Sequence, residues 1–212
     1  MKDKPTEWVS IADLMAGVMA VVMLLLVMAV LQKTYAEFQH QEALAKQADT
    51  QQQRTARLLE RIRVSVQGAG GDGLVAVDVA GAKIMLGDGV FARGSACVTD
   101  QARQAASEVS QGIQEFLASV PQAKVYVEGH TDNLPVGRPV TDFARFCTVY
   151  DDNFTLSAAR AREARKLLLT VLSEADSRRV VVAGYGESQP LPGLSPGDAR
   201  NRRIEVRLVA TQ

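Results

Sequence analysis

The pattern of apolar and polar positions divides the chain into three stretches. Residues 8–31, WVSIADLMAGVMAVVMLLLVMAVL, are apolar apart from Ser10 and Asp13. Twenty-four residues in a helix span roughly 36 Å, enough to cross a hydrocarbon layer of about 30 Å with some tilt. Residues 32–66 are rich in Gln, Ala, Glu and Arg and contain neither Pro nor Gly, a composition that favours helix. Their apolar positions, Tyr35, Phe38, Leu44, Leu58, Leu59, Ile62 and Val66, form a stripe too thin for a coiled coil, which predicts a polar helix continuing from the apolar segment, or a stalk, that spaces the next domain away from the bilayer. GAGGDG at 68–73 ends it as a hinge. It precedes a strand instead of following one, so its match to G-x-G-x-x-G carries no nucleotide signal.

From Leu74 the pattern alternates between strands and helices. Strands are predicted over 75–79, 82–86, 124–130, 179–185 and 202–210. One helix is predicted from Thr99 or Asp100 to about Val120, before Pro121. A second runs from Thr155 or Ser157 to about Ala175. The expected fold class is a single N-terminal transmembrane α-helix and helical linker, then an α+β domain with helices on one face of a mixed sheet. The expected boundaries are a tail at 1–7, the membrane helix at 8–31, the linker and hinge at 32–73 and the folded domain at 74–212.

Composition narrows the function. Lys and Arg number 24, as do Asp and Glu, so the formal net charge is zero. That argues against a nucleic-acid binder relying on a basic field. The two cysteines, Cys97 and Cys147, are too few for a disulfide framework or a Cys-only zinc site, but one disulfide is possible outside the cytoplasm. No Ser/His/Asp or Cys/His set suggests catalysis, and His40 and His130 are too few for a metal cluster. His130 is expected to order a loop by hydrogen bonding. Neither an enzyme nor a cofactor is expected.

A signal peptide does not fit residues 8–31: the run is too long, carries an acid and has no A-x-A site close behind it. Lys2 and Lys4 before the helix nearly balance Lys33 and Lys46 after it. A cytoplasmic N-terminus is the simplest single-span layout. Asp13 lies about 7.5 Å inside Trp8 along the axis, and a carboxylate deep in a bilayer costs on the order of 3 kcal/mol. Protonation or a wet cavity lowers that cost, so an acid here suits an ion carrier; the alternative is a polar contact to a neighbouring helix. Ser10, Gly17 and Ala20 share its face, with Ala16 beside them, and small residues let membrane helices approach closely.

Five segments carry a family resemblance. FARGSA at 91–96, GHTDN at 129–133, LSAARA at 156–161, GYGES at 184–188 and NRRIEVRL at 201–208 stand in the order and approximate spacing of OmpA-like peptidoglycan-binding domains. The resemblance covers roughly residues 74–210 and implies a periplasmic domain that grips diaminopimelate of the cell-wall stem peptide. It assigns the ligand ammonium to Asp132 and the ligand carboxylate to Arg160, with Thr131, Asn153 and Leu156 lining the pocket and Arg203 bordering it. The alternative is that Asp132 and Arg160 merely pair with each other. The stretch 134–152 is longer than in the simplest members and sits over the presumed pocket. It carries Cys147, so in an oxidising periplasm a bridge to Cys97 would pin it; two unpaired thiols are the other outcome.

The N-terminal segment, W-x-S-x-A-D-L-M-A-G followed by Val, Met and Leu, resembles the membrane helix of MotB-type stator subunits. Within that group SIADLMAG is most similar to the ZorB-type subunits of Zorya anti-phage systems. The resemblance implies a homodimer inside a ring of a MotA-like (ZorA-type) membrane partner. It further implies H⁺ in preference to Na⁺ as the ion on Asp13, and a plug role for part of the linker. The short, weakly basic N-terminus departs from flagellar MotB. A flagellar-type stator and a passive tether between inner membrane and cell wall are the alternatives.

Overall fold

The computed structural model describes residues 7–68 and 73–210. The tail at 1–6, the hinge core at 69–72 and the side chain of Ser10 lie outside the described residues. Helix α1, Glu7–Gly68, contributes to two compact units, Met1–Thr50 and Gln51–Gln212.

In the first unit the described side chains are exposed throughout. The apolar stretch has a mean hydropathy of 2.9 and none of it is buried; among the described residues it is the single helix long and apolar enough to cross a membrane. Polar residues take over after Leu31. Lys33–Glu37 and Lys46–Glu42 form i,i+4 ion pairs at 3.8 and 2.8 Å. Each such exposed pair adds only about 0.3–0.5 kcal/mol.

In the second unit the last turns of α1 belong to the core. Leu58, Leu59, Ile62 and Val66 are all buried and join the main hydrophobic cluster. The unit therefore begins at Gln51, not at residue 74, and the stretch from there to Gly68 is no free stalk. The thin apolar stripe suffices because a docked helix buries one face only, and each buried aliphatic side chain contributes about 1.5–3 kcal/mol. Gly112 makes the approach possible: a Cβ there would meet Ile62 Cδ1 at 2.3 Å.

Strands β1 (Val75–Asp78) and β2 (Lys83–Gly87) form a hairpin. Helix α2 (Asp100–Ser119) follows, capped by Thr99, whose hydroxyl accepts from the Ala102 N–H at 3.3 Å. Strand β3 is Lys124–His130 and a short helix α3 spans Phe143–Phe146. Helix α4 covers Asn153–Leu168, α5 covers Glu174–Ser177, and strands β4 (Val180–Gly184) and β5 (Arg203–Val209) complete the unit. The sheet order is β1-β2-β5-β3-β4, with β3 and β4 parallel and the other pairs antiparallel. This is an α+β fold with a mixed sheet, as the pattern predicts.

Two helix limits differ from expectation. Helix α4 starts at Asn153 because Asp152 is its cap, accepting from the Thr155 N–H at 2.6 Å. It stops at Leu168 in a 3-10 turn, Leu169–Val171, and Ser173 caps the separate α5. Propensity alone did not separate these two helices, since no Pro or Gly marks the break.

Strand alternation sorts the central strands. Ile204, Val206 and Leu208 of β5 and Val125 and Val127 of β3 lie in the core with α2 and α4. Arg203, Glu205 and Arg207, with their register partners His130, Glu128 and Tyr126, take the opposite face. There Arg207 pairs with Glu128 and lies over the Tyr126 ring at 4.9 Å.

Candidate functional site: a cleft between the GHTDN loop and helix α4

The first turns of α4 lie directly on the sheet. A Cβ on Gly129 would stand 2.1 Å from the Ser157 carbonyl oxygen, and one on its register partner Gly184 would stand 2.6 Å from Ala158. Only two adjacent glycines beneath small helix residues permit this contact. It brings the end of β3, and with it Thr131 and Asp132, beside Leu156 and Arg160. The Asn153 amide donates to the carbonyls of Asp132 and Leu134 at 3.3 and 3.0 Å, tying the loop to the helix start. The Ser157 hydroxyl accepts from the Gly186 N–H at 2.9 Å, and the Thr131 N–H donates to the Gly186 carbonyl at 2.8 Å.

The result is a cleft of about 740 Å³. Five of the residues singled out from the sequence line it: Thr131, Asp132, Asn153, Leu156 and Arg160. Arg203 does not. It is buried on the opposite sheet face, where its Nε donates to Glu205 Oε1 at 2.6 Å. Arg202 takes its place, because residue 202 shares strand parity with Ile204 and so projects to the helix side.

Arg202 is the centre of an alternating chain of charge. Its guanidinium meets Asp132 Oδ2 at 2.6 Å and Asp88 Oδ2 at 3.0 Å, and Asp88 Oδ1 meets Arg160 Nη1 at 3.3 Å. Asp132 and Arg160 thus do not simply neutralise each other; Asp88 and Arg202 stand between them. Arg160 is 4 % exposed, donates from Nε to the Ser95 carbonyl at 2.9 Å and lies over the Phe91 ring at 5.3 Å. Burial pulls its pKa below the usual arginine value, and Asp88 opposes that. A guanidinium has five N–H groups, so these contacts leave Arg160 donors to spare. The Thr131 hydroxyl is buried with no hydrogen-bond partner among the described residues.

Asp88, Arg202, Arg93 and Tyr150 were not expected in the cleft. Strand parity in NRRIE identifies Arg202 once the core face is known. Asp88 follows β2 in a turn, and nothing local marks it.

The segment 134–152 forms one wall, as its position suggested. It is held by the antiparallel bridge Val140–Tyr150 and by the Tyr150 hydroxyl donating to the Gly94 carbonyl at 2.7 Å. Cys147 and Cys97 are joined by a disulfide, their Cα atoms 5.1 Å apart. Beside it the Phe146 carbonyl accepts from the Ala96 N–H and the Ser95 hydroxyl at 3.0 and 2.9 Å.

His130 orders no loop. It ends β3, is 2 % exposed, stacks on Tyr185 with centroids 5.3 Å apart, and has no partner for either ring nitrogen among the described residues. Burial, aided by Arg203, lowers its pKa to about 4. Among the described residues no cluster of His, Cys, Asp and Glu has the makings of a metal site.

An α+β sandwich with a mixed sheet and helices is the architecture of an OmpA-like domain. Residues 90–203, more than half of the chain, match the OmpA family, and the chain belongs to it. Motility protein B of Bacillus subtilis (strain 168) is 27 % identical over 103 residues, or 48 % of this chain and 36 % of that protein. The chain thus matches about a third of the length of that curated relative. Among solved structures, the cell wall anchor of the T6SS from Pseudomonas aeruginosa is similar with a TM-score of 0.53 and 29 % identity, over 73 % of this chain and 97 % of that one. A MotB-like protein from Desulfovibrio vulgaris is similar with a TM-score of 0.56 and 20 % identity, over 76 % and 96 %.

Proposed function

We propose that the chain is a MotB-like stator subunit of the bacterial inner membrane that is anchored to peptidoglycan and driven by ion flow through a MotA-like partner. The observation that carries this reading is the presence on one chain of an exposed apolar helix bearing Asp13 near its start and an OmpA-family cleft bearing Asp132 and Arg160. In the cleft, Asp132 receives the side-chain ammonium of diaminopimelate beside Arg202, and Arg160 presents its remaining N–H groups to the carboxylate on the same carbon. Thr131 offers a hydroxyl that has no hydrogen-bond partner among the described residues.

In the membrane, H⁺ binds Asp13 from the periplasmic side and leaves to the cytoplasm. Neutralising the carboxylate changes which partner surface the helix tolerates, so the ring steps around a dimer of this chain. A proton crossing about 150 mV releases roughly 3.5 kcal/mol, several times thermal energy. The grip on the wall keeps the dimer from turning with the ring. The N-terminus is cytoplasmic and the cleft periplasmic in this arrangement, which suits the disulfide.

The resemblance of SIADLMAG to ZorB-type subunits favours anti-phage defence with a ZorA-type partner over motility. The test is phage challenge of cells carrying the Asp13→Asn chain together with the adjacent membrane protein. Loss of protection with unchanged insertion and partner co-purification supports the reading; full protection sinks it. The second reading is a passive tether, favoured by the likeness to the T6SS cell wall anchor. It predicts that Asp13→Asn is harmless while Asp132→Ala is not.

A further inference from the structure

The cleft carries more positive charge than the diaminopimelate side chain needs. Its lining holds four guanidiniums, on Arg93, Arg138, Arg160 and Arg202, against two carboxylates, on Asp88 and Asp132. The chain of pairs from Arg160 through Asp88 and Arg202 to Asp132 uses both carboxylates. Arg93 and Arg138 are left. Both are exposed, and neither has a hydrogen-bond or ion-pair partner among the described residues.

These two cations are not on loose chain. Arg93 sits in the segment closed by the bridge Phe91–Val98, and Arg138 sits just before the bridge Val140–Tyr150. The two segments are joined by the disulfide and by the Phe146 carbonyl contacts. Like charges held on one concave surface repel, and a low-dielectric wall strengthens the field they project into the cleft. An anionic ligand relieves that repulsion.

The side chain of diaminopimelate is a zwitterion and relieves none of it. In the wall, where the L-Ala nitrogen is an amide, the stem tetrapeptide L-Ala–γ-D-Glu–diaminopimelate–D-Ala has three carboxylates and one ammonium at neutral pH, an excess of two negative charges that equals the surplus of the cleft. On the peptidoglycan-binding reading above, we propose that Arg93 and Arg138 form an anion subsite for the D-Glu α-carboxylate and the terminal D-Ala carboxylate. The cleft then selects acidic, unamidated stems with a free C-terminus. Arg138 belongs to the long 134–152 segment, so that segment sets specificity besides covering the cleft.

The test is calorimetric titration of the full chain in detergent with two soluble probes: the N-acetylated tetrapeptide, and the same peptide amidated at the D-Glu α-carboxylate and the terminal D-Ala carboxylate. The expected result is at least tenfold tighter binding of the acidic peptide, a preference that shrinks in high salt. R93Q/R138Q is expected to reduce acidic-peptide affinity to that of the amide and leave amide binding unchanged. Equal affinity of the two peptides for the unaltered chain, or a double variant that keeps the preference, overturns the subsite. Asp132→Ala is expected to weaken both peptides together. Binding of neither peptide by the unaltered chain overturns the peptidoglycan reading itself, an outcome distinct from equal binding.

Discussion

Asp13 and Asp132 are both carboxylates set among groups that do not welcome a bare charge, yet the chain treats them in opposite ways. Asp132 is 6 % exposed and bonded to Arg202, which is itself held by Asp88. Its charge is compensated by side chains from the same fold. Asp13 is exposed on a helix whose neighbours are apolar, with no ion pair among the described residues. A compensated acid is a fixed electrostatic feature, which on the proposed reading suits it to holding a zwitterion. On the proposed reading, an acid that its own fold leaves uncompensated among the described residues is open to a membrane partner, which is what an ion carrier requires.

The sharpest way to break this contrast is to neutralise each acid. Asp13→Asn is expected to abolish ion-driven activity, read as proton uptake into vesicles holding the chain and its partner, while sacculus pull-down stays normal. Asp132→Ala is expected to do the reverse, with retention on peptidoglycan falling at least a hundredfold and the membrane helix inserting as before. Failure of the two readouts to separate would mean that the regions do not have distinct roles.

The neighbouring arginines sharpen the cleft side of the comparison. Arg202→Ala is expected to lower peptidoglycan retention about tenfold or more and to cost about 1–3 kcal/mol of stability, since it takes the paired cation from the buried Asp132. Arg203→Ala is expected to cost about 2 kcal/mol in thermal or denaturant unfolding, because it removes one of the two cations on the buried Glu205 and leaves only Lys83, at 3.2 Å. Ligand retention under conditions where that variant is folded should be unchanged.

Reducing the Cys97–Cys147 bond is expected to lower stability by about 2–4 kcal/mol, the usual range for a native disulfide, seen as a lower denaturant midpoint with dithiothreitol. The smallest effect concerns pH. His130 titrates at about 4 in the fold against 6.5 unfolded. Between those values the unfolded chain binds the extra proton, so stability contributed above pH 6.5 is lost as pH falls toward 4. The loss is on the order of 2–3 kcal/mol at most. His130→Phe, which keeps a ring against Tyr185, should flatten the unfolding midpoint across that window.

The strands and α2 were legible to within a residue or so, because alternation, Thr99 and Pro121 are local signals. The docking of the α1 end was not. Leu58, Leu59, Ile62 and Val66 occupy one face of a helix that is otherwise polar, and their partner across Gly112 is some fifty residues distant. The resemblance points to Arg203 of NRRIE, and only the core-facing parity of β5 shows that its neighbour Arg202 is the one in the cleft.

The sequence by itself determined the local elements, the acid in the apolar helix, and the motif residues Thr131, Asp132, Asn153, Leu156 and Arg160, since each is written in neighbouring residues. Tertiary structure alone decided that Asp88 and Arg202 stand between Asp132 and Arg160, and that Arg93 and Arg138 have no paired counter-charge among the described residues. Which charges neutralise one another depends on distances between segments far apart along the chain. Those distances exist only once Gly129 and Gly184 let α4 settle onto the sheet.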